Sequence, residues 1–220
     1  MTIIATRAIL DAPTYARVRD ERLRELIEHK APRRVELGSY IGLLFESDAT
    51  VIGQIQEVVH VENKRHPAQI RSEIDEYACL LPGPGLLTAT LMVHAGGPAI
   101  GATLSSEVHA NFGVVSLEIG ERSSPCHVLR PDDAGPAAVH YIGFAVGRSA
   151  IEALRDGLPA FLCLRSSVES LRSPLAAPLR AALLATLVHH DRASTNIRAR
   201  SIPQTNTVTS TQKDTQCPTW

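Results

Sequence analysis

Residues 82–94, PGPGLLTATLMVH, decide the fold because the periodicity of the chain changes there. The Pro-Gly repeat at 82–85 predicts a turn, and beyond it Thr88 and Thr90 alternate with apolar side chains. Those apolar residues are Leu87, Ala89, Leu91 and Val93. A period of two residues is that of a β-strand with one buried face, so a half-buried strand is predicted here.

The chain before this turn has the spacing of helices. Segments 14–30, 51–63 and 67–81 carry apolar residues at steps of three and four, which predicts three amphipathic helices. Between the first two lies YIGLLF at 40–45, a wholly apolar run that predicts a buried strand.

The chain after the turn reads mainly as strands. Strands are predicted at 114–119, 139–146 and 160–164, with a short helix at 149–156 and a final helix carrying leucines at 175, 179, 183 and 187. The glycine-rich segment 95–101 is predicted as a turn that opens no helix. Regular β-α-β alternation is missing, so the predicted class is α+β with a largely antiparallel sheet and amphipathic helices before and after it.

Composition sets the function classes that remain open. The 220 residues are 44% apolar, which supports one domain over residues 1–189. Lys+Arg number 22 against 23 Asp+Glu, and only 4% of residues are aromatic, so a nucleic-acid partner is not expected. No apolar run is long enough to span a bilayer, and residues 1–10 do not resemble a signal peptide. The four cysteines form no C-x-x-C pair, which favours inert thiols and a cytoplasmic location.

Residues 190–220 differ from the rest of the chain. They are rich in Ser, Thr, Gln and Asn and poor in large apolar residues, a composition that does not form its own core. We therefore expect a polar C-terminal tail that docks on a partner protein or on the domain itself, and we favour the partner.

Two carboxylates and a histidine, Glu62, Glu46 and His60, are candidates for acid-base chemistry. On the predicted helix 51–63, Glu62 continues the apolar stripe, and a carboxylate facing the core would have a raised pKa; alternatively the stripe ends early and Glu62 is solvated. Glu46 directly follows the buried strand, where Gln54 could contact it. Glu57 and His60 are three residues apart, a spacing used by carboxylate-bridged metal sites, with Glu73 as a further ligand. A solvated pair is the alternative to that metal site.

Arg33, Arg34 and Gln54 are the candidate substrate-binding residues, and the two arginines carry the charge. Forked guanidinium donors suit a carboxylate, sulfate or phosphate, although the pair could equally form salt bridges to Glu36 or Glu46. His140, on a predicted strand, is expected to be a core histidine.

Several groups of residues, over most of 8–188, carry a resemblance to a known family. They are Tyr15 with Arg19, Lys30 with Arg33-Arg34-Val35 and Leu37-Gly38, Leu43-Leu44-Phe45-Glu46, Thr50 with Gln54, Glu57 and Glu62, Glu73 with Tyr77 and Leu81-Pro82, Leu87-Thr88-Ala89-Thr90-Leu91-Met92, and Val139-His140-Tyr141 with Phe144. In these the chain resembles the bacterial domain-of-unknown-function family numbered thirty-five-oh-one. The resemblance implies no activity; it implies a redox or peroxide-stress setting beside rubrerythrin-like and iron-sulfur proteins. His60 and Ala78 depart from the family pattern, as does the loop 95–113.

The functional hypothesis follows from these candidates. We expect the smaller subunit of a heteromeric enzyme, joined to a second, larger protein, that acts on a small polar metabolite without a cofactor or metal. Glu62, Glu46 or His60 would transfer the proton in an elimination or an intramolecular ring closure, in specialised metabolite biosynthesis. The alternatives are a metal- or redox-associated stress protein and a non-catalytic structural subunit.

Overall fold

The computed structural model describes residue 4 and residues 8–94, 98–110, 113–130 and 138–200, without the side chains of 98, 99 and 193–200. Within this part of the chain there are six α-helices and eight β-strands. In chain order they are α1 (Ala12–Lys30), β1 (Arg34–Leu37), β2 (Ile41–Phe45), α2 (Asp48–Val61), α3 (Pro67–Tyr77), β3 (Leu86–Val93), α4 (Pro98–His109), β4 (Val115–Ile119), β5 (Arg122–Val128), β6 (Val139–Ala145), α5 (Arg148–Arg155), β7 (Ala160–Arg165), β8 (Ser170–Pro174) and α6 (Ala177–Arg200).

The eight strands form one sheet in the order β1-β2-β3-β6-β5-β4-β7-β8, and every neighbouring pair is antiparallel. The sheet curves until its two edges approach each other. A Cβ placed on Gly38, which follows β1 with φ +62°, would lie 2.5 Å from Leu171 Cδ1 of β8. The positive φ favours glycine there, and a Cβ would also require the Leu171 side chain to move. The architecture is a nearly closed antiparallel barrel, and the predicted α+β class is confirmed.

Two apolar cores stabilise the molecule. The larger one fills the curved sheet and includes the leucines of α6, among them Leu183 and Leu187. The smaller one joins α2 to α3 through Val51, Ile55 and Ile74. The helices α1 and α2 pack closely at Gly53, where a Cβ would lie only 2.6 Å from a terminal carbon of Leu26.

The start of each of these two helices is fixed by its cap. The Asp11 side chain accepts a hydrogen bond from the Thr14 amide at 2.8 Å at the start of α1. Ser47 and Thr50 exchange side-chain and backbone hydrogen bonds at the start of α2. Such reciprocal caps satisfy amides that the first helical turn leaves unpaired.

The structure corrects three parts of the element prediction. Residues 98–109 form α4, so the predicted turn at 95–101 does open a helix, and residues 95–97 lie outside the described residues. The strands β1, β5 and β8 were not predicted. The helix α6 continues to Arg200, so the first part of the predicted tail is helical, while 201–220 lie outside the described residues. No helix in the described part of the chain is long and apolar enough to cross a membrane.

Candidate functional site

Glu46 is a buried carboxylate at the junction of β2 and α2. Its side chain is 1% exposed, and both of its oxygens accept hydrogen bonds from threonine hydroxyls. Thr50 donates to Oε2, and Thr90, from the neighbouring strand β3, donates to Oε1 at 2.7 Å. The sequence prediction placed Glu46 at a sheet edge with Gln54 as its partner. The two threonines bind Glu46 instead, because β3 pairs with β2 and places Thr90 opposite Leu44, two residues before Glu46.

Arg33 is buried next to Glu46, and Arg34 is exposed on the opposite side of the chain. The Arg33 guanidinium donates to the Thr186 hydroxyl of α6 at 3.2 Å from each Nη, and to the Glu46 carbonyl at 3.4 Å. Burial lowers the pKa of Arg33. Because the Arg33 side chain is buried and Arg34 is exposed, the two arginines do not form a joint anion clamp. Arg33 instead ties α6 to the start of α2.

Glu62 does not face the core, so that prediction is wrong. The helix α2 ends at Val61, and Glu62 is its C-cap with a side chain that is 55% exposed. The chain then turns at Asn63, whose φ is +51°. The Glu62 carboxylate forms an ion pair with Lys64 at 2.6 Å. The apolar stripe therefore ends one turn before Glu62, as the alternative interpretation stated.

Glu57 and His60 do lie together on α2, but their partners are on α1. Glu57 accepts a hydrogen bond from the Tyr15 hydroxyl at 2.6 Å and binds Arg19 through a forked contact with a shortest distance of 2.7 Å. Hydrogen bonding to Arg19, chiefly, lowers the pKa of Glu57. The His60 ring packs edge-on against Tyr15, with 5.5 Å between the ring centroids. This cluster joins two helices.

The metal-ligand set proposed from the sequence is not assembled. Glu73, on α3, forms an ion pair with Lys64, and Glu57 is engaged by Arg19. Among the residues that the structure describes, no group of three or more His, Cys, Asp or Glu could hold a metal ion. Glu57, His60 and Glu73 therefore do not form a ligand sphere.

The cavity between α1 and α2 was not anticipated. It has a volume of 520 Å³ and opens to solvent, and its lining is Ala8, Leu10, Tyr15, Arg22, Glu25, Leu26, His29, Ala49, Ile52, Gly53 and Gln56. A volume of this size is typical of small-molecule sites, which span about 300–1,000 Å³. Of the predicted site residues, none lines this cavity; Gln56, two residues after Gln54, does.

His29 is the one imidazole in the cavity lining. Its Nε2 lies 2.8 Å from the Ser47 hydroxyl, and no described residue bonds its Nδ1. Burial, together with the positive charge of Arg33, lowers the pKa of His29. A histidine with a lowered pKa is neutral at pH 7, so it can accept a proton. The sequence did carry a signal, because Tyr15, Arg22 and His29 recur at a spacing of seven on one face of α1.

Two further predictions concern residues away from the cavity. His140 is buried and its Nε2 lies 3.0 Å from the Ser105 hydroxyl of α4, as expected for a core histidine. Cys126 and Cys163 are free and buried, while Cys79 is partly exposed; Cys217 lies outside the described residues.

Comparisons with known proteins give a family and a fold. The family model described as "Protein of unknown function (DUF3501)" matches residues 3–187. None of the curated proteins matches the chain. A crystal structure of a novel protein of unknown function from Burkholderia pseudomallei K96243 is similar, with a TM-score of 0.76 and 23% sequence identity. The match covers 84% of this chain and 100% of that one, and at this identity it bears on the fold alone.

Proposed function

This chain belongs to the DUF3501 family, whose description assigns no activity, and we propose from its own residues that it is the smaller subunit of a heteromeric enzyme in the cytoplasm. The enzyme carries out acid-base chemistry on a small metabolite without a cofactor. The observation that carries this proposal is His29, an imidazole with a lowered pKa in the wall of a 520 Å³ cavity.

The chemistry begins with a proton transfer. His29 Nδ1 takes a proton from carbon or from an amine of the substrate, and the electron pair left behind forms a double bond or closes a ring. The leaving group departs with its own electron pair, so the step is an elimination or an intramolecular cyclisation. His29 therefore takes the role that the sequence gave to Glu62, Glu46 or His60. Glu46 and Arg33 are too deeply buried to touch a substrate, and they act by positioning the start of α2, which holds Ser47 against His29.

The partner subunit is proposed on two grounds. The cavity is open on one side, where Arg22 and Glu25 are 61% and 58% exposed, and a second protein seated there would exclude water from the reaction. Residues 201–220 also have a polar composition that cannot form a core of its own, and a partner surface would supply apolar contacts.

The test uses the reconstituted heteromer. The chain is coexpressed with the products of its neighbouring genes, the complex is dialysed against chelator, and a metabolite extract is followed by mass spectrometry. We expect one metabolite to be consumed, and we expect His29→Gln to slow its consumption by about 10²- to 10⁴-fold, the usual contribution of a general base. His94→Gln, which changes an exposed histidine elsewhere, is the matched control. Equal consumption by wild type and His29→Gln would refute the catalytic role.

The burial of Glu46 and Arg33 favours a second candidate, a non-catalytic subunit that stabilises its partner. In that case the complex would assemble and turn over normally with His29 replaced. The redox-associated alternative rests on the family setting only, because the described residues supply no ligand set for a metal.

A further inference from the structure

We infer that the cavity between α1 and α2 binds an amino acid with an apolar side chain. This inference rests on the proposed function, because it names the substrate class of the same cavity. It is carried by two features of the lining, an apolar interior and an ion pair at the rim.

The interior of the cavity is built for a hydrocarbon group. Leu10, Leu26 and Ile52 form its walls, and the small residue Ala49 adds only a methyl group to the lining. Apolar surface removed from water by such walls contributes about 0.8 kcal/mol per buried methylene. A ligand that is polar throughout would leave these walls without a contact.

Two of the five polar side chains in the lining are already committed to the protein. The Tyr15 hydroxyl donates to Glu57. Both ends of the Gln56 amide are bound to the backbone of Leu10, at 2.7 and 3.0 Å. Polar recognition of a ligand therefore falls to the remaining side chains, Arg22, Glu25 and His29.

Arg22 and Glu25 present one charge of each sign at the mouth of the cavity. Arg22 Nη1 donates to Glu25 Oε2 at 3.1 Å, which uses one of five guanidinium donors and one of two carboxylate oxygens. The free donors suit a carboxylate and the free oxygen suits an ammonium group. An α-amino acid carries both groups on one carbon, and its side chain would then enter the apolar interior. His29 lies in the same lining and can take the proton.

Binding to the purified chain tests this without any turnover. Isothermal titration would compare L-leucine with L-alanine, 4-methylpentanoate and 3-methylbutylamine. We expect leucine to bind more tightly than alanine by roughly 50-fold, from three more buried carbons. It should also bind more tightly than either singly charged analogue by about five- to tenfold, because each analogue loses one charged contact. Equal binding of leucine and either analogue, or no binding of any of the four, would overturn the inference.

Two substitutions locate the site. Ala49→Trp fills the cavity from an exposed helix position and should abolish leucine binding, whereas Ala181→Trp, at an exposed position on α6, should leave binding unchanged. Wild-type binding by a folded Ala49→Trp variant would place the ligand elsewhere and refute the proposal. Leucine binding without any metabolite consumption by the heteromer would uphold this inference and count against the proposed function. Metabolite consumption without leucine binding would refute this inference and support the proposed function.

Discussion

The hydrogen bond from Thr90 to the buried Glu46 carboxylate supports a sharp prediction about stability. Thr90→Val keeps the shape and the strand preference of the side chain but removes the hydroxyl that donates to Oε1 at 2.7 Å. Glu46 is 1% exposed, so bulk water cannot supply the missing donor. We expect the free energy of unfolding to fall by about 1–3 kcal/mol, the cost of an unsatisfied buried acceptor.

The expected shift is large enough to measure by thermal and urea unfolding. At about 2–4 °C per kcal/mol for a chain of this size, the midpoint should fall by roughly 2–12 °C. Thr14→Val, which removes an exposed hydroxyl from α1, should change the free energy by less than about 0.5 kcal/mol.

Repeating Thr90→Val in a Glu46→Gln background tests how much the charge of residue 46 contributes to the hydrogen bond, because the two side chains have nearly the same shape. In Glu46→Gln the acceptor is neutral, and hydrogen bonds to charged groups are about twice as strong as neutral ones, so Thr90→Val should then cost about half as much. The reasoning is refuted if Thr90→Val unfolds at the same urea concentration as wild type, or if its cost is the same in both backgrounds.

Three other predictions follow from neighbouring contacts. Arg33→Met should lower the free energy of unfolding by roughly 1–3 kcal/mol because it removes buried donors, whereas Arg34→Met should stay within about 0.5 kcal/mol of wild type; urea titration of the two variants would show whether they differ. Arg19→Gln should lower the free energy of unfolding only slightly at pH 7, since the Arg19–Glu57 ion pair is partly solvated. The pKa of Glu57 is lowered in the folded protein, so this contribution is fully present above the usual glutamate pKa of about 4.3 and is lost as the pH falls from there through the lowered pKa of the folded state; a deficit that grows on acidification would contradict this. Glu62→Gln should leave stability within about 0.5 kcal/mol of wild type and turnover unchanged, and a slowed reaction would return Glu62 to the mechanism.

The candidate residues show where the sequence prediction stopped. Glu46 and Arg33 were identified as interesting, but Thr90 and Thr186 were not their predicted partners. Thr186 is separated from Arg33 by 153 positions, and Thr90 from Glu46 by 44. Pairings over such distances depend on which strands and helices become neighbours, and periodicity carries no information about that.

The prediction for Glu62 was wrong because of local structure, the end of helix α2. His29 was missed because its surroundings depend on tertiary contacts. The helical stripe was correct up to Val59, but the helix ended at Val61 and the chain turned away. His29 lies among charged residues on α1, and its seven-residue spacing from Arg22 and Tyr15 marks one face of that helix without indicating burial. Its lowered pKa and its bond to Ser47 arise only because α2 packs against α1.

The sequence by itself determined the α+β class, the family and, among the described residues, five of the six helices and five of the eight strands, because hydrophobic periodicity and motif order are properties of neighbouring residues. The tertiary structure alone decided the sheet order, the near-closure of the barrel at Gly38 and the cavity that contains His29. Each of these depends on contacts between segments far apart in the chain, whose free energy is gained only once the segments are brought together.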